Sequence, residues 1–216
     1  MHKNKSIFVT FEGIEGSGKS YQAKILYKKL KKSKIPTILT REPGGSPSAE
    51  KIRELILKDY FHPKIKEKFN KYTDTLLYLA SRNEHIEQKI KPAITKKLNV
   101  ICDRFTDSTT AYQVYGKGVD KNLINSIHKH ILKNIFPDLT FVLTVNIHKA
   151  MKRLNKRKTK NRYDKFSKNF YSNVQKAFIS IAKKNKKRYC IIDNSKDSKE
   201  VEKVIYKKFI KVLKKK

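Results

Sequence analysis

The stretch Gly13-Ile14-Glu15-Gly16-Ser17-Gly18-Lys19-Ser20 constrains this chain more than any other. It follows an apolar, β-favouring run, Ile7 to Phe11, and precedes a segment, Tyr21 to Lys32, with Ile25, Leu26 and Leu30 on one helical stripe. Strand, glycine-rich turn, Gly-Lys-Ser and helix, in that order, are the context a phosphate-binding loop needs. Glycines let backbone N–H groups turn inward around an anion, and the positive end of the next helix faces the same anion. Lys19 is placed to reach the β- and γ-phosphates, and the Ser20 hydroxyl to hold Mg²⁺. The plainer alternative is a flexible turn before a helix. At a usual glycine usage of roughly 7%, chance produces such a match in on the order of one chain in a hundred. Here glycine is scarcer still, so residues 13 to 20 are expected to bind a nucleoside triphosphate.

That scarcity is informative elsewhere. Of seven glycines, three lie in the loop, two form Gly44-Gly45, and two are Gly116 and Gly118. Each is expected to mark backbone at positive φ or backbone that must approach a ligand. Five short β-favouring runs alternate with helical patterns: Ile7 to Phe11, Thr37 to Thr40, Asn99 to Cys102, Leu139 to Val145 and Tyr189 to Ile192. The alternation predicts a parallel α/β sheet in one domain, residues 1–216. Ser48 is expected to cap a helix with Ile52, Leu55 and Ile56 buried. A longer helix from Thr73 or Asp74 to about Lys91 should stop before Pro92. Its core contacts would be Leu76, Leu77, Leu79, Ala80 and Ile86, while Tyr78, Arg82 and His85 share a face. Further helices are expected over 107–113, 121–135, 167–184 and the C-terminal stretch, and 60–72 reads as a partly irregular crossing.

Charge raises a rival class. The chain carries 52 Lys plus Arg against 19 Asp plus Glu, a net +33, which is the electrostatic footprint of a nucleic-acid binder. The lysines, however, spread over nearly every expected helix instead of gathering on one face, so no specific nucleic-acid partner is expected. No apolar segment reaches membrane-spanning length, and Met1 to Lys5 leads straight into the first strand, so the chain reads as cytoplasmic. Cys102 and Cys190 fall in strands expected to be buried and are assigned to packing.

Only eight of the 52 basic residues are arginine, yet Arg41, Arg82, Arg104, Arg153, Arg157 and Arg162 fall where this topology points toward the phosphate loop's end of the sheet. Arginine's planar fork suits phosphate, whereas lysine is a solvated point charge. The segment Asp103-Arg104-Phe105-Thr106-Asp107-Ser108-Thr109-Thr110-Ala111-Tyr112-Gln113 resembles the thymidylate kinase signature of Asp-Arg-aromatic, then Ser, then Ala-Tyr-Gln. The other landmarks occur in that family's order: the phosphate loop, Arg41-Glu42-Pro43-Gly44-Gly45, Leu77 to Arg82, Pro137-Asp138-Leu139-Thr140, a basic segment, and Asp193-Asn194-Ser195.

The resemblance implies a P-loop nucleoside monophosphate kinase fold with strand order 2-3-1-4-5, helices on both faces, and a lid at about residues 151–166. It implies Mg²⁺-dependent transfer of the ATP γ-phosphoryl group to dTMP by a homodimer. ATP would be held by Gly13, Ile14, Glu15, Gly16, Ser17, Gly18, Lys19 and Ser20, with Asn194 and Ser195 near the adenine. For dTMP, Glu15 would accept from the sugar 3′-hydroxyl and Tyr78 would stack on thymine. Arg82 would bond a base carbonyl, Ser108 with Thr109 or Thr110 would line the base edge, and Tyr112 would lie under the sugar. Arg41 would join this site, and Arg104 would hold the acceptor phosphate. Lys19, Arg104 and the lid arginines Arg153, Arg157 and Arg162 would serve transfer, and Ser20 with Asp103 the metal. His85 is given no role. Rival readings are a kinase for another nucleoside monophosphate and a P-loop protein that binds nucleic acid.

Overall fold

The computed structural model describes residues 6–57, 69–156, 166–195 and 199–216. Five parallel strands, β1 (Phe8–Glu12), β2 (Thr37–Arg41), β3 (Asn99–Asp103), β4 (Leu139–Thr144) and β5 (Tyr189–Asp193), lie in the order β2-β3-β1-β4-β5. Order and strand positions match the expectation, each strand within a residue or so. The observed β1 and β3 run one residue further, to Glu12 and Asp103, and so deliver both carboxylates to the carboxyl edge.

Strand alternation divides the core. Val9, Phe11, Ile101, Phe141 and Leu143 face α1 (Lys19–Lys32) and α9 (Lys199–Lys215), where Ala23, Leu26, Leu30, Ile205 and Phe209 complete one layer. On the opposite side, Phe8, Val100 and Cys102 pack with Ile86, Ile90 and Leu132. There too Val142 meets Ala150 and Leu154 of α7 (Ile147–Asn155) and Val174 and Phe178 of α8 (Lys168–Lys183). Cys190 is only half-buried, contrary to expectation, because β5 is an edge strand; both cysteines are free.

Several helix boundaries differ from the sequence reading. The helix α2 (Pro47–Leu57) starts before Ser48, and Ser46 accepts from Ala49 N, while Ser48 Oγ donates to Glu84. Pro at the first helical position needs no N–H partner, which lets α2 begin one residue early. The long helix runs as α3 (Lys71–His85), a π-helical turn over Ile86–Ile90, then α4 (Lys91–Thr95). Pro92 therefore sits in α4's first turn instead of ending the helix: the π turn resets the hydrogen-bond pattern where proline would otherwise leave a carbonyl unmatched. Along α3, Leu76 and Ala80 are exposed, whereas Asp74, Thr75, Ser81, Arg82 and His85 are buried. The inward polar face is satisfied from other elements: Gly44 N donates to Ser81 Oγ, and Arg82 and His85 both meet Glu42. After β3 come α5 (Thr106–Thr109), a π-helical stretch Thr110–Gly116, and α6 (Lys121–Leu132). Six of the seven glycines adopt positive φ. Gly116 does not; its Cα lies against the Phe170 ring, where an added Cβ would come within 2.9 Å.

Candidate active site

β1 runs through the glycine-rich loop into α1 at Lys19. Side chains from elsewhere claim the loop's carbonyls. Arg104 Nη1 donates to Gly13 O at 3.1 Å, Arg153 Nη1 to Gly16 O at 2.8 Å, and Asn194 Nδ2 to Ser17 O at 2.8 Å. Each trans peptide is flat, so drawing the carbonyls of Gly13 and Ser17 outward turns the N–H groups of Ile14 and Gly18 the other way. The result is a concavity for an anion. Gly16 has φ 72°, and a Cβ there would lie 2.6 Å from Ala150 O of α7, so only glycine permits this approach. Lys19 Nζ rests on Ile14 O at 2.7 Å, and burial, aided by Arg104, lowers its pKa to about 8. Phosphates gathering in the concavity would restore its charge.

Ser20 Oγ donates to Asp103 Oδ2, while Asp103 Oδ1 is buried with no hydrogen-bond partner among the described residues. An orphaned carboxylate oxygen beside a hydroxyl fits Mg²⁺, which takes one or two protein oxygens and completes its shell from phosphate and water. Among the described residues no cluster of three or more His, Cys, Asp or Glu could hold a metal ion.

A cleft of about 540 Å³ opens beside the loop. Glu15, Arg41, Tyr78, Arg82, Arg104, Ser108, Thr109 and Tyr112 all line it. Thr110 is not among the lining residues; its hydroxyl bonds back to Thr106 O at 3.4 Å, so Thr109 is the threonine that faces the cleft. Arg104 is held from three sides: Nη1 on Ser108 Oγ at 3.0 Å, Nη2 on Glu15 Oε1 at 2.7 Å, and its guanidinium 5.1 Å from the Tyr112 ring centroid. Burial works against its charge, but Glu15, Tyr112 and Asp103 hold its pKa above the ordinary value. Tyr112 OH donates to the other Glu15 oxygen.

Arg82 is almost wholly enclosed at 2% exposure. Its Nε and Nη2 lie 2.8 and 2.7 Å from Glu42 Oε2, and Nη1 donates to Thr109 Oγ1 at 2.7 Å and to His128 Nε2 at 2.9 Å. Of five guanidinium hydrogens, this leaves one on Nη2 for a ligand. His128 must be neutral to accept, and burial together with Arg82 lowers its pKa to about 3. His85, assigned nothing from sequence, is fully buried between Thr40 Oγ1 (2.6 Å) and Glu42 Oε1 (3.0 Å).

A profile of the thymidylate kinase family matches residues 11–205. The chain is 42% identical over 210 residues to a thymidylate kinase of Wolbachia pipientis, covering 94% of this chain and 97% of that one. The chain belongs to the thymidylate kinase family. A thymidylate kinase of Mycoplasma capricolum is 38% identical over 96% of this chain and 94% of its own. The crystal structure of thymidylate kinase from Ehrlichia chaffeensis superposes with a TM-score of 0.72 at 33% identity, covering 97% of this chain and 99% of that one. As a thymidylate kinase family member the chain is a phosphotransferase of the nucleoside monophosphate kinase class.

For the thymidylate kinase site, the sequence reading missed several residues. Arg53 lines the cleft, and its Nη1 donates to Pro43 O at 2.5 Å. Its spacing of three from Glu50, on the helix after Gly44-Gly45, was the available signal. Gln113 lines the cleft with its Nε2 buried and unpartnered among the described residues. Asn194, assigned near the adenine, braces Ser17 O with its buried side chain and accepts from Gln22. Ser195 Oγ donates to Asp193 and accepts from Asn146 N. Arg157 and Arg162 lie outside the described residues.

Proposed function

We propose that this chain transfers the ATP γ-phosphoryl group to dTMP, giving dTDP and ADP, with the cleft between the glycine-rich loop and α3 as the acceptor site. The observation that carries this reading is the juxtaposition of the phosphate-loop concavity with a cleft lined by Arg104, Arg82 and Tyr112. Two nucleotides held there would meet phosphate to phosphate, and transfer is then chiefly a matter of position and charge. Arg104 and Arg53 hold the acceptor phosphate. The remaining Arg82 hydrogen and the Gln113 amide address polar atoms of the base, and Tyr78 supplies a ring to stack on it. Tyr112 and Glu15 form the floor for the sugar. Lys19 and Arg153 steady the donor phosphates. Ser20 and Asp103 would hold Mg²⁺, which would supply neutralisation of phosphate charge. The attacking group is a phosphate oxygen of the acceptor, so no protein nucleophile is required.

The unpaired cysteines accord with a reducing cytoplasm. Among the described residues no helix is long and apolar enough to cross a membrane. A homodimer is proposed through the helical face opposite the cleft lining, where Leu55 of α2, Tyr72 and Leu76 of α3, and Leu123 of α6 are exposed. Packing of α3 against both α2 and α6 brings these helices together. ADP release measured with dTMP, dUMP, UMP, CMP, AMP and GMP side by side tests the assignment. Preference for dTMP is expected, and preference for AMP or CMP would overturn it.

A further inference from the structure

Glu12 is the last residue of β1, and its side chain is completely buried. It lies on the same strand face as Thr10, which bonds Thr140 Oγ1 at 2.8 Å, so this side of the sheet carries polar groups under α5. No ion pair reaches Glu12 among the described residues. Asp107, whose charge acts on Glu12, is already engaged by Arg188 at 2.7 Å and Tyr189 OH at 2.9 Å. A buried carboxyl without a cationic partner is costly, so something must use it.

What uses it is the turn that carries Arg104. Oε1 of Glu12 accepts from Phe105 N at 2.7 Å, and Oε2 accepts from Ser108 Oγ at 2.6 Å. Ser108 Oγ in turn accepts from Arg104 Nη1 at 3.0 Å. Arg104 itself adopts φ 72°, a left-handed conformation that disfavours any residue with a Cβ. Such a conformation persists only where the surroundings over-determine it. Here Arg104 N is tied to Phe11 O at 2.9 Å, and the next amide is tied to Glu12. The same carboxyl therefore holds the strained backbone after Arg104 and, through Ser108, its guanidinium.

We propose that Glu12 is a positioning residue for the acceptor phosphate: it sets Arg104 through Phe105 N and Ser108 Oγ without touching substrate. This rests on the reading of Arg104 as the group that holds that phosphate. Burial and Asp107 push the Glu12 carboxyl up to about 8. Phe105 N and Ser108 Oγ both donate to this carboxyl. Gln keeps an acceptor for Phe105 N and offers an amide that donates to Ser108 Oγ, so both links survive, whereas Leu has the bulk and neither.

Isothermal titration calorimetry of dTMP and of thymidine, which lacks the phosphate, separates the possibilities in the wild type, Glu12→Leu, Glu12→Gln and Arg104→Ala. Glu12→Leu should weaken dTMP by about tenfold, with thymidine changed less than about twofold, and Glu12→Gln should recover wild-type dTMP affinity. Equal losses for the two ligands, or no loss for either, in Glu12→Leu overturn the proposal, as does a Glu12→Gln protein that fails to recover. If Arg104→Ala also spares dTMP relative to thymidine, the reading of Arg104 falls and takes this one with it. If Arg104→Ala shows the selective loss and Glu12→Leu does not, only the positioning role falls. Should Glu12→Leu not fold, Ser108→Ala breaks the same link. It must then show the dTMP-selective loss, and its absence overturns the proposal.

Discussion

Arg104 Nη2 lies 2.7 Å from Glu15 Oε1, an ion pair that joins the turn after β3 to the phosphate loop across 89 positions of sequence. Glu15 also accepts from Tyr112 OH, so one carboxylate fixes both the guanidinium proposed to hold phosphate and the ring proposed to lie beneath the sugar. The phosphate loop and the turn after β3 thus share a wall.

Lys19→Ala is expected to lower turnover by about a hundredfold or more while leaving the fold intact. It removes a cation from the point where donor phosphates collect, and such transition-state contacts are worth roughly 2.7–4 kcal/mol. Steady-state ADP release beside a thermal melt checks this. Turnover close to wild type would refute the placement of the donor phosphates.

Arg82→Ala should weaken dTMP more than ATP, by about 1.5–3 kcal/mol, since the lost contact is charge-assisted. It should also destabilise the fold by roughly 3–5 kcal/mol, because Glu42 is left buried without its main cation. Burial raises the Glu42 pKa, but Arg82 and His85 outweigh it and bring it below the ordinary 4.5. The stability from this pair is therefore complete above about pH 4.5 and is lost as pH falls further. Denaturant melts from pH 6 down to pH 3 should show a steeper acid loss in the wild type than in Arg82→Ala.

Glu12 has the opposite sign. Its pKa rises from 4.5 to about 8, so between those values the folded chain keeps a proton that the unfolded chain releases. Stability from this group falls as pH rises through that window. His128, lowered from 6.5 to about 3, opposes it below pH 6.5, and Lys19, lowered from 10.5 to about 8, acts only above pH 8. Between pH 6.5 and 8, Glu12→Gln should therefore gain on the wild type by up to about 1.4 kcal/mol per pH unit. Parallel unfolding curves at four pH values in this interval check the trend, and a constant difference would contradict it.

Leu76→Glu should convert a dimer to a monomer. Leu76 is 51% exposed on α3 and Tyr72 is 41% exposed one turn earlier, an apolar stripe that a partner copy would cover. Sedimentation velocity reads the change directly, with circular dichroism expected to be unaltered. A wild-type protein that sediments as a monomer would dispose of the dimer at once.

Much of this was legible in the chain itself. The five strands and the loop Gly13 to Ser20 come from local patterns, because alternation of apolar runs and glycine-lysine spacing report what neighbouring residues must do. The polar face of α3 was harder to read. Leu76 and Ala80 look like core residues by spacing, yet Arg82 and His85 are the buried ones, since Glu42, Thr40 and His128 arrive from elsewhere to satisfy them. Pro92 misled for a related reason: the π turn before it redistributes backbone hydrogen bonds in a way periodicity does not encode.

Sequence alone determined that a glycine-rich loop with Lys19 would stand at a strand end, and which side chains had chemistry to offer a ligand. Tertiary structure alone decided how they were held. Asn194 became a brace for Ser17, Thr109 was chosen over Thr110, Arg53 entered the cleft, and Glu12 was set beneath Arg104. The physical reason is that a buried polar group takes its role from partners that satisfy it. Those partners lie tens of residues away, where no local pattern can reach them.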